Sequence, residues 1–190
     1  KVKAVTHRVN PIMQTCIGPS EEHVSMAGIP TEASILDMVE RAMPGRVQNV
    51  YAHSSGGGKF IAVIQFKKTV PSDEGRQRQA ALLAFSAFPE LKQVILVDED
   101  VDIFDTNDVL WAMTTRMQAD VDIVTIPGVR CHPLDPSNDP ACSWSIRDHG
   151  IACKTIYDAT VPFNQKARFQ RAKFMEVDVK KFLPDFTVQD

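Results

Sequence analysis

The sequence lacks long apolar runs, a dense run of basic residues and closely spaced cysteines. No apolar stretch in its 190 residues approaches the length of a membrane span, so we expect neither a transmembrane helix nor a membrane partner. The formal net charge is only -3, which gives no general attraction to nucleic acid. The four cysteines show neither CxxC spacing nor the density of a disulfide scaffold, and we therefore expect reduced thiols in a cytoplasmic protein.

The length and composition are those of one ordinary globular domain. Hydrophobic residues make up 44% of the chain and charged residues 24%, which is usual for a soluble globular protein. A chain of 190 residues can bury a sizeable core but is too short for two comfortable domains, so we expect a single domain over 1–190. The chain opens with Lys1-Val2-Lys3, without an initiator methionine or an apolar signal core, and we expect a fragment or an excised domain.

The most informative stretch is an apolar run, residues 94–97, that leads directly into Asp98-Glu99-Asp100. Such a pattern is typical of a strand buried on both faces of an α/β sheet. A helix is predicted to follow, capped by Asp105 or Thr106 and with Asp108 at the positive end of its dipole. Ligands of open α/β sheets bind at the carboxyl ends of strands, so we look for a site beside these acids.

The remaining periodicities alternate between helix and strand. Helices are predicted from Thr31 to Pro44-Gly45, from Asp73 to Phe88, from Thr106 to Met117 and, as a short terminal helix, from Val177 to Leu183. Strands are predicted at Val47–Ala52, Phe60–Lys67, 94–97 and Val121–Ile126, with a short edge strand at Ile156-Tyr157. Residues 1–30 and 127–153 have no sustained period and are predicted to be irregular. This order predicts an α/β fold, a three-layer α/β/α sandwich with a mixed, largely parallel sheet.

Two motifs that resemble ion or phosphate sites fail on chemical grounds. The acids from Asp98 onward imitate a calcium loop, but its sixth and twelfth positions are Ile103 and Val109. The run Gly56-Gly57-Gly58-Lys59 is not a phosphate-binding loop, because Phe60 replaces the hydroxyl residue and a strand follows. A mobile hairpin tip is the simpler interpretation of this glycine-rich turn.

Two other interpretations stay open from the residues alone. Asp98-Glu99-Asp100 also resembles the acidic motif with which metal-dependent glycosyltransferases hold a sugar nucleotide, although no nucleotide-binding strand and loop precede it. His132 is either an ordinary histidine bonded to backbone or a polar group that faces a phenol or carboxylate of a substrate. Cys131 and His132 lack two further ligands at suitable spacing, so we expect no metal site.

Five segments occur together in the order of one known family. They are Gly28-Ile29-Pro30-Thr31-Glu32-Ala33, residues 95–102, residues 107–112 with Thr114-Thr115-Arg116-Met117, Leu134-Asp135-Pro136-Ser137, and Lys154 with Asp158-Ala159-Thr160. Over Lys3 to Phe186 the chain resembles the carboxy-terminal domain of the UbiD family of aromatic and acrylic acid decarboxylases. The loop Cys131–Ser137 is more similar to the hydroxybenzoate, protocatechuate and gallate decarboxylases than to the ferulate and cinnamate branch.

The resemblance implies a carboxy-lyase that releases CO2 from an aromatic carboxylic acid with prenylated FMN. The cofactor acts as an electron sink, and a protein acid returns a proton to the substrate carbon. In the family, the arginine and the two glutamates of this proton chemistry belong to an upstream flavin-binding barrel. The same barrel holds the divalent metal (Mn or Mg) and a possible K ion on the flavin phosphate. We therefore expect no catalytic residue here and an inactive isolated chain that binds prenylated FMN weakly or not at all. A flavin prenyltransferase is the implied supplier of the cofactor.

The family's carboxy-terminal domain also forms one wall of the substrate pocket. The matching positions are Ile12, Met13, Phe88, His132 and Leu134. Cinnamate-type members carry Phe where this chain has His132, and a polar side chain suits a hydroxylated ring, because an unpaired phenol in an apolar pocket costs about 1–3 kcal/mol. Some members hold the flavin phosphate with a lysine where this chain has Ser86, so that contact is not carried over.

The resemblance further implies assembly into a homodimer or a homohexamer. The terminal segment carries apolar residues that need a partner, either the chain's own core or a neighbouring chain. They are Phe174, Met175, Val177, Val179, Phe182, Leu183 and Phe186. A purely structural module for oligomerisation and for closing over the flavin is therefore the non-enzymatic alternative.

Overall fold

A computed structural model describes residues 1–16, 18, 20–133, 135–138, 150–172, 175 and 177–182. The helices are α1 (Glu21–Ala42), α2 (Arg76–Ala87), α3 (Thr106–Arg116), α4 (Ala119–Asp122) and α5 (Val179–Phe182). The strands are β1 (Val47–Ala52), β2 (Ile61–Phe66), β3 (Gln93–Asp98), β4 (Ile123–Arg130) and β5 (Ile151–Ala159). Of the described helices, none combines the length and the apolar character that crossing a membrane requires.

The five strands form one mixed sheet in the order β1-β2-β3-β5-β4. The three inner strands, β2, β3 and β5, are parallel, and the two edge strands run antiparallel to their neighbours. In β3 the side chains of Val94, Leu96 and Val97 have no exposed surface. The prediction of a strand buried on both faces at 94–97 is therefore confirmed, and it is the middle strand.

Helices cover both faces of the sheet. One face carries α1 and α2, whose residues Ile35, Val39, Ala80 and Ala84 pack with Ile64 and Leu96 of the sheet. The other face carries α3, whose Val109 and Ala112 pack with Val63 and Val97. Successive strand residues point to opposite faces, so each of β2 and β3 contributes to both cores. The predicted three-layer α/β/α sandwich is confirmed.

Helix α1 begins at Glu21, ten residues before the predicted start at Thr31. Ser20 caps it by accepting the backbone N–H of His23 at 3.3 Å, and acidic residues follow in the first turn. Pro30 lies inside the helix, where the sequence indicated a break. The hydroxyl of Ser34 donates to the Pro30 carbonyl one turn earlier, at 2.8 Å, as serines inside helices often do.

The prediction for the stretch 127–153 is wrong at both ends. Strand β4 continues to Arg130 through a bulge at Pro127-Gly128, where Gly128 has a φ of +72° and the register with β5 shifts. An edge strand tolerates such a proline. Strand β5 is nine residues long and lies between β3 and β4, so it is not the short edge strand predicted at Ile156-Tyr157.

The glycine-rich turn between β1 and β2 is packed against α1. A Cβ on Gly58 would lie 2.7 Å from the carbonyl oxygen of Val24 and 2.9 Å from the nitrogen of Gly28. Gly58 also has a φ of +68°, which side chains rarely adopt. The turn is thus a contact between hairpin and helix and not the free hairpin tip that was predicted.

Candidate functional site

The acidic cluster (Asp98, Glu99 and Asp100) lies at the carboxyl end of β3, where the sequence led us to look for a site. Arg116 of α3 reaches it from the helical layer, with Nη1 3.1 Å from Asp98 and Nη2 2.6 Å from Asp100. Asp98 also accepts the backbone N–H of Val161 at 2.7 Å. The side chains of Arg116 and Asp98 are 1% and 5% exposed, so this ion pair is buried, whereas Asp100 is 39% exposed.

A basic segment, Phe163–Arg171, covers the acidic cluster from outside. Lys166 lies 3.1 Å from Glu99, and Arg171 lies 3.3 Å from Asp100 and 2.8 Å from Asp108. The guanidinium groups of Arg116 and Arg171 both stack on the ring of Trp111, at 4.9 and 4.3 Å from its centroid. A cleft of about 390 Å³ remains between the cluster and the segment.

The protonation of the cluster follows from these contacts. Burial raises the pKa of Asp98, although the Val161 N–H and the charges of Lys166 and Arg116 act in the opposite direction. Burial also acts to raise the pKa of Asp100, but the hydrogen bonds and charges of Arg116 and Arg171 outweigh it and lower that pKa. The carboxylates are therefore held by cations of the same chain.

The geometry does not favour the glycosyltransferase interpretation of Asp98-Glu99-Asp100. Within the described part of the chain, no three His, Cys, Asp or Glu side chains are grouped so that they would hold a metal ion. The acidic cluster instead joins β3 to α3 and to the basic segment, which is a structural role.

Phe88 and His132 lie at the amino end of β3, whereas the acidic cluster lies at its carboxyl end. Phe88 comes just before β3, and His132 follows β4, which runs antiparallel to β5 and so ends where β3 and β5 begin. Both residues thus lie away from the carboxyl end of β3, where we expected a site, and their pocket-wall role stays a prediction. The antiparallel direction of β4 places His132 beside the starts of β3 and β5, and the sequence alone did not reveal this direction.

Glu90 connects the segments of Phe88 and His132. Its Oε2 lies 3.4 Å from Nε2 of His132 and 3.8 Å from Nζ of Lys59. The ring of His132 meets the ring of Phe60 edge-on, with 5.7 Å between centroids. Phe88, Glu90 and Lys59 line a cleft of about 410 Å³ that is closed on its other side by α1. We call this space the amino-end cleft.

The turn that carries these residues, Phe88–Leu91, is fixed from the interior of the sheet. Nζ of Lys154 in β5 donates to the carbonyl of Pro89 at 2.6 Å and also to that of Leu91. The thiol of Cys131 donates to the carbonyl of Glu90 at 3.5 Å. Burial lowers the pKa of Lys154, and Cys131 acts in the opposite direction.

The other predicted wall residues are not brought to the amino-end cleft by any described contact. Ile12 and Met13 are 82% and 81% exposed in a segment, 1–16, that is exposed throughout. Leu134 lies outside the described residues. Ser86 is exposed on α2, and its hydroxyl donates to the Leu82 carbonyl at 3.1 Å. The pocket-wall roles of Ile12, Met13 and Leu134 stay predictions.

Comparison with known proteins gives a consistent family. The model of the 3-octaprenyl-4-hydroxybenzoate carboxy-lyase C-terminal domain matches residues 24–159. Gallate decarboxylase of Lactiplantibacillus plantarum is 63% identical over 185 residues, which are 96% of this chain and 38% of that protein. The apo structure of a 3,4-dihydroxybenzoic acid decarboxylase from Enterobacter cloacae has a TM-score of 0.85 at 63% identity, over 92% of this chain and 36% of that one.

A more distant solved structure has the same fold. The UbiD-class enzyme HmfF from Pelotomaculum thermopropionicum, in complex with FMN, has a TM-score of 0.79 at 35% identity. The match covers 95% of this chain and 38% of the HmfF chain. The chain therefore spans well under half the length of these relatives. It belongs to the UbiD family and corresponds to the family's C-terminal domain.

Proposed function

We propose that the chain is the carboxy-terminal domain of a decarboxylase that releases CO2 from a hydroxylated aromatic acid. Relatives at 63% identity are a gallate decarboxylase and a 3,4-dihydroxybenzoic acid decarboxylase, which supports a substrate of the gallate or protocatechuate type. The observation that carries the proposal is the polar group of His132, held beside the cleft that Phe88 lines. The finer choice among these acids is left to experiment.

His132 is proposed to recognise the hydroxyl groups of the substrate ring. Its side chain is 13% exposed, and its ring packs edge-on against Phe60 beside the amino-end cleft. A neutral imidazole both donates and accepts hydrogen bonds near pH 7, as a phenol requires. A wall with phenylalanine at this position would leave a phenol unpaired, at a cost of about 1–3 kcal/mol.

The cofactor is proposed to be prenylated FMN, held mainly by a part of the polypeptide that precedes this domain. Relatives of the UbiD class are described with FMN and with prenylated FMN, which supports the class of cofactor. Bound prenylated FMN supplies the electron sink for loss of CO2. Ser86 is neutral and already bonded to Leu82, so the described residues do not fit a flavin phosphate there. We assign this chain no catalytic residue, no metal ligand and no cofactor contact.

The test is the substitution His132→Phe in the full-length protein loaded with its cofactor. We expect KM for 3,4-dihydroxybenzoate to rise about tenfold because the hydroxyl loses its partner. The inhibition constant of benzoate, which has the carboxylate but no hydroxyl, should stay unchanged. His7→Phe, the same substitution at an exposed histidine, is the control. Equal effects on both ligands, or none on either, would exclude this role for His132.

Assembly is a second proposed role of the domain. Met175, Val177 and Phe182 are 86%, 58% and 69% exposed, which is apolar surface available to another copy of the chain. A related HmfF variant is described as an evolved dimeric form, so self-association is a variable property among relatives. We propose a homodimer or a homohexamer. Light scattering of the full-length protein before and after Phe182→Asp tests this, and an unchanged mass would contradict it.

A further inference from the structure

We propose that Glu90 is the positioning residue of His132, holding the imidazole in the one orientation that accepts a hydroxylated ring. The inference rests on the proposed function, because it concerns how the same pocket wall recognises the substrate hydroxyl. It does not make Glu90 a catalytic residue, since Glu90 acts on the substrate only through His132.

The first support is the fixed backbone of Glu90. The carbonyls of Pro89, Glu90 and Leu91 are each engaged, by Lys154 on either side and by the thiol of Cys131 in the middle. Leu91 is fully buried and anchors the turn in the core. Three consecutive carbonyls that are bonded from the interior leave the Glu90 side chain to project toward the cleft from a rigid base.

The second support is the arrangement of the side chains. Glu90 lies between a cation and an imidazole, with Oε2 3.8 Å from Lys59 and 3.4 Å from His132. The His132 ring is restrained on another side by its edge-on contact with Phe60. Glu90 is 39% exposed and Lys59 is 30% exposed, whereas His132 is 13% exposed and is the most buried of the three side chains.

The consequence of this arrangement is a restrained imidazole. The Glu90 carboxylate beside Nε2 and the ring of Phe60 limit the orientations that the His132 ring can take. Carboxylates that orient histidines in this way are common where a histidine must present one nitrogen to a ligand. Lys59 holds the Glu90 carboxylate from its other side, at 3.8 Å. A substrate hydroxyl then meets a ring whose orientation is set before binding, which favours tight binding.

The experiment uses the full-length protein loaded with its cofactor and compares Glu90→Ala with Glu90→Gln. Glu90→Ala should raise KM for 3,4-dihydroxybenzoate about tenfold, leave kcat within twofold and leave the inhibition constant of benzoate unchanged. Glu90→Gln keeps an acceptor for the Nε2 proton and should recover most of the loss. Glu99→Gln is the control, since Glu99 is 37% exposed and paired with Lys166 at the other edge of the sheet. Thermal midpoints of all variants should match the parent protein.

A double-mutant cycle with His132→Phe separates this inference from the proposed function. If Glu90 acts through His132, Glu90→Ala has no further effect on KM in the His132→Phe background. Two outcomes would overturn the role of Glu90 but leave the proposed function standing. One is an equal effect of Glu90→Ala on KM in both backgrounds, and the other is no effect of Glu90→Ala although His132→Phe raises KM. A His132→Phe variant with unchanged selectivity overturns the proposed function, and this inference with it.

Discussion

The guanidinium of Arg116 in α3 lies 3.1 Å from the carboxylate of Asp98 at the end of β3, and both side chains are almost completely buried. Arg116 is therefore the cation that balances the buried end of the middle strand. Its removal would leave the buried carboxylate of Asp98 without its ion-pair partner. Desolvated carboxylates in that state are costly, and the first prediction follows from that cost.

Arg116→Leu should lower the free energy of unfolding of the chain by about 3–5 kcal/mol, because it breaks a buried ion pair and leaves a charge behind. Arg41→Leu is the matched control. Arg41 forms an ion pair with Asp37 on the surface of α1 and is 77% exposed, so its loss should cost within about 0.5 kcal/mol. Urea unfolding at pH 7 measures both values. Similar losses would show that burial of Arg116 has no special effect.

A second prediction concerns the contact between the glycine-rich turn and α1. Gly57 and Gly58 both have positive φ, but a Cβ on Gly57 would meet nothing within 4 Å. Gly57→Ala should therefore lower the free energy of unfolding by only about 1–2 kcal/mol, which is the cost of the left-handed conformation for alanine. Gly58→Ala should lower the free energy of unfolding by about 1–3 kcal/mol more than Gly57→Ala, because its Cβ would clash with the backbone of Val24 and Gly28. Equal thermal midpoints for the two variants would argue against a close approach.

A third prediction is a pH dependence of stability that comes from Asp73. Burial acts to raise its pKa, but the N–H groups of Thr69 and Val70, the Thr69 hydroxyl and the charge of Arg46 outweigh burial and lower it. A lowered folded-state pKa means that Asp73 stabilises the fold above the unfolded-state value of about 3.9. This stabilisation is lost as the pH falls through the lower, folded-state pKa.

The variant Asp73→Asn tests that linkage. It should be less stable than the parent chain at pH 7, because the buried carboxylate is replaced by a neutral amide. The difference between the two chains should shrink as the pH falls below about 4. Urea midpoints recorded at several pH values measure this convergence. A difference that stays constant with pH would mean that the charge of Asp73 does not matter.

The sequence was sufficient where a local pattern alone determines the structure. Val94, Leu96 and Val97 of the apolar run before Asp98 have no exposed surface, and Asp105, one of the two predicted caps, accepts the N–H of Asn107 at 2.9 Å. The same holds for the hairpin of β1 and β2, whose periodicity is clear. These elements need no knowledge of the distant chain.

The sequence was insufficient where a distant partner hides a local signal. Strand β5 carries Lys154 and Asp158, which indicate a solvent-exposed edge, yet both are buried. Lys154 is bonded to the carbonyls of the Phe88–Leu91 turn, and Asp158 is paired with Arg78 at 2.7 Å. The predicted start of helix α1 was ten residues too late, because Pro30 was interpreted as a break. Ser20 followed by two glutamates already indicated a cap.

The pocket-wall roles of the residues named from the sequence stay predictions. Phe88 and His132 were named, and the structure places their segments at one edge of the sheet. Glu90 was missed because a single acid in a short turn has no sequence signature of its own. The orientation of β4, on which the meeting of these segments depends, is a property of the whole sheet and cannot be seen in any one stretch.

The bonds of Lys154 connect the shape of the amino-end cleft to the interior of the sheet. Lys154 belongs to a strand that is hydrogen-bonded along both of its edges, and it supports the turn that displays Glu90 and Phe88. A replacement deep in the central layer that shifts β5 by a fraction of an ångström would therefore tilt the wall of the cleft. The shape of the amino-end cleft is thus open to adjustment by mutations in the hydrophobic interior that touch none of its lining residues.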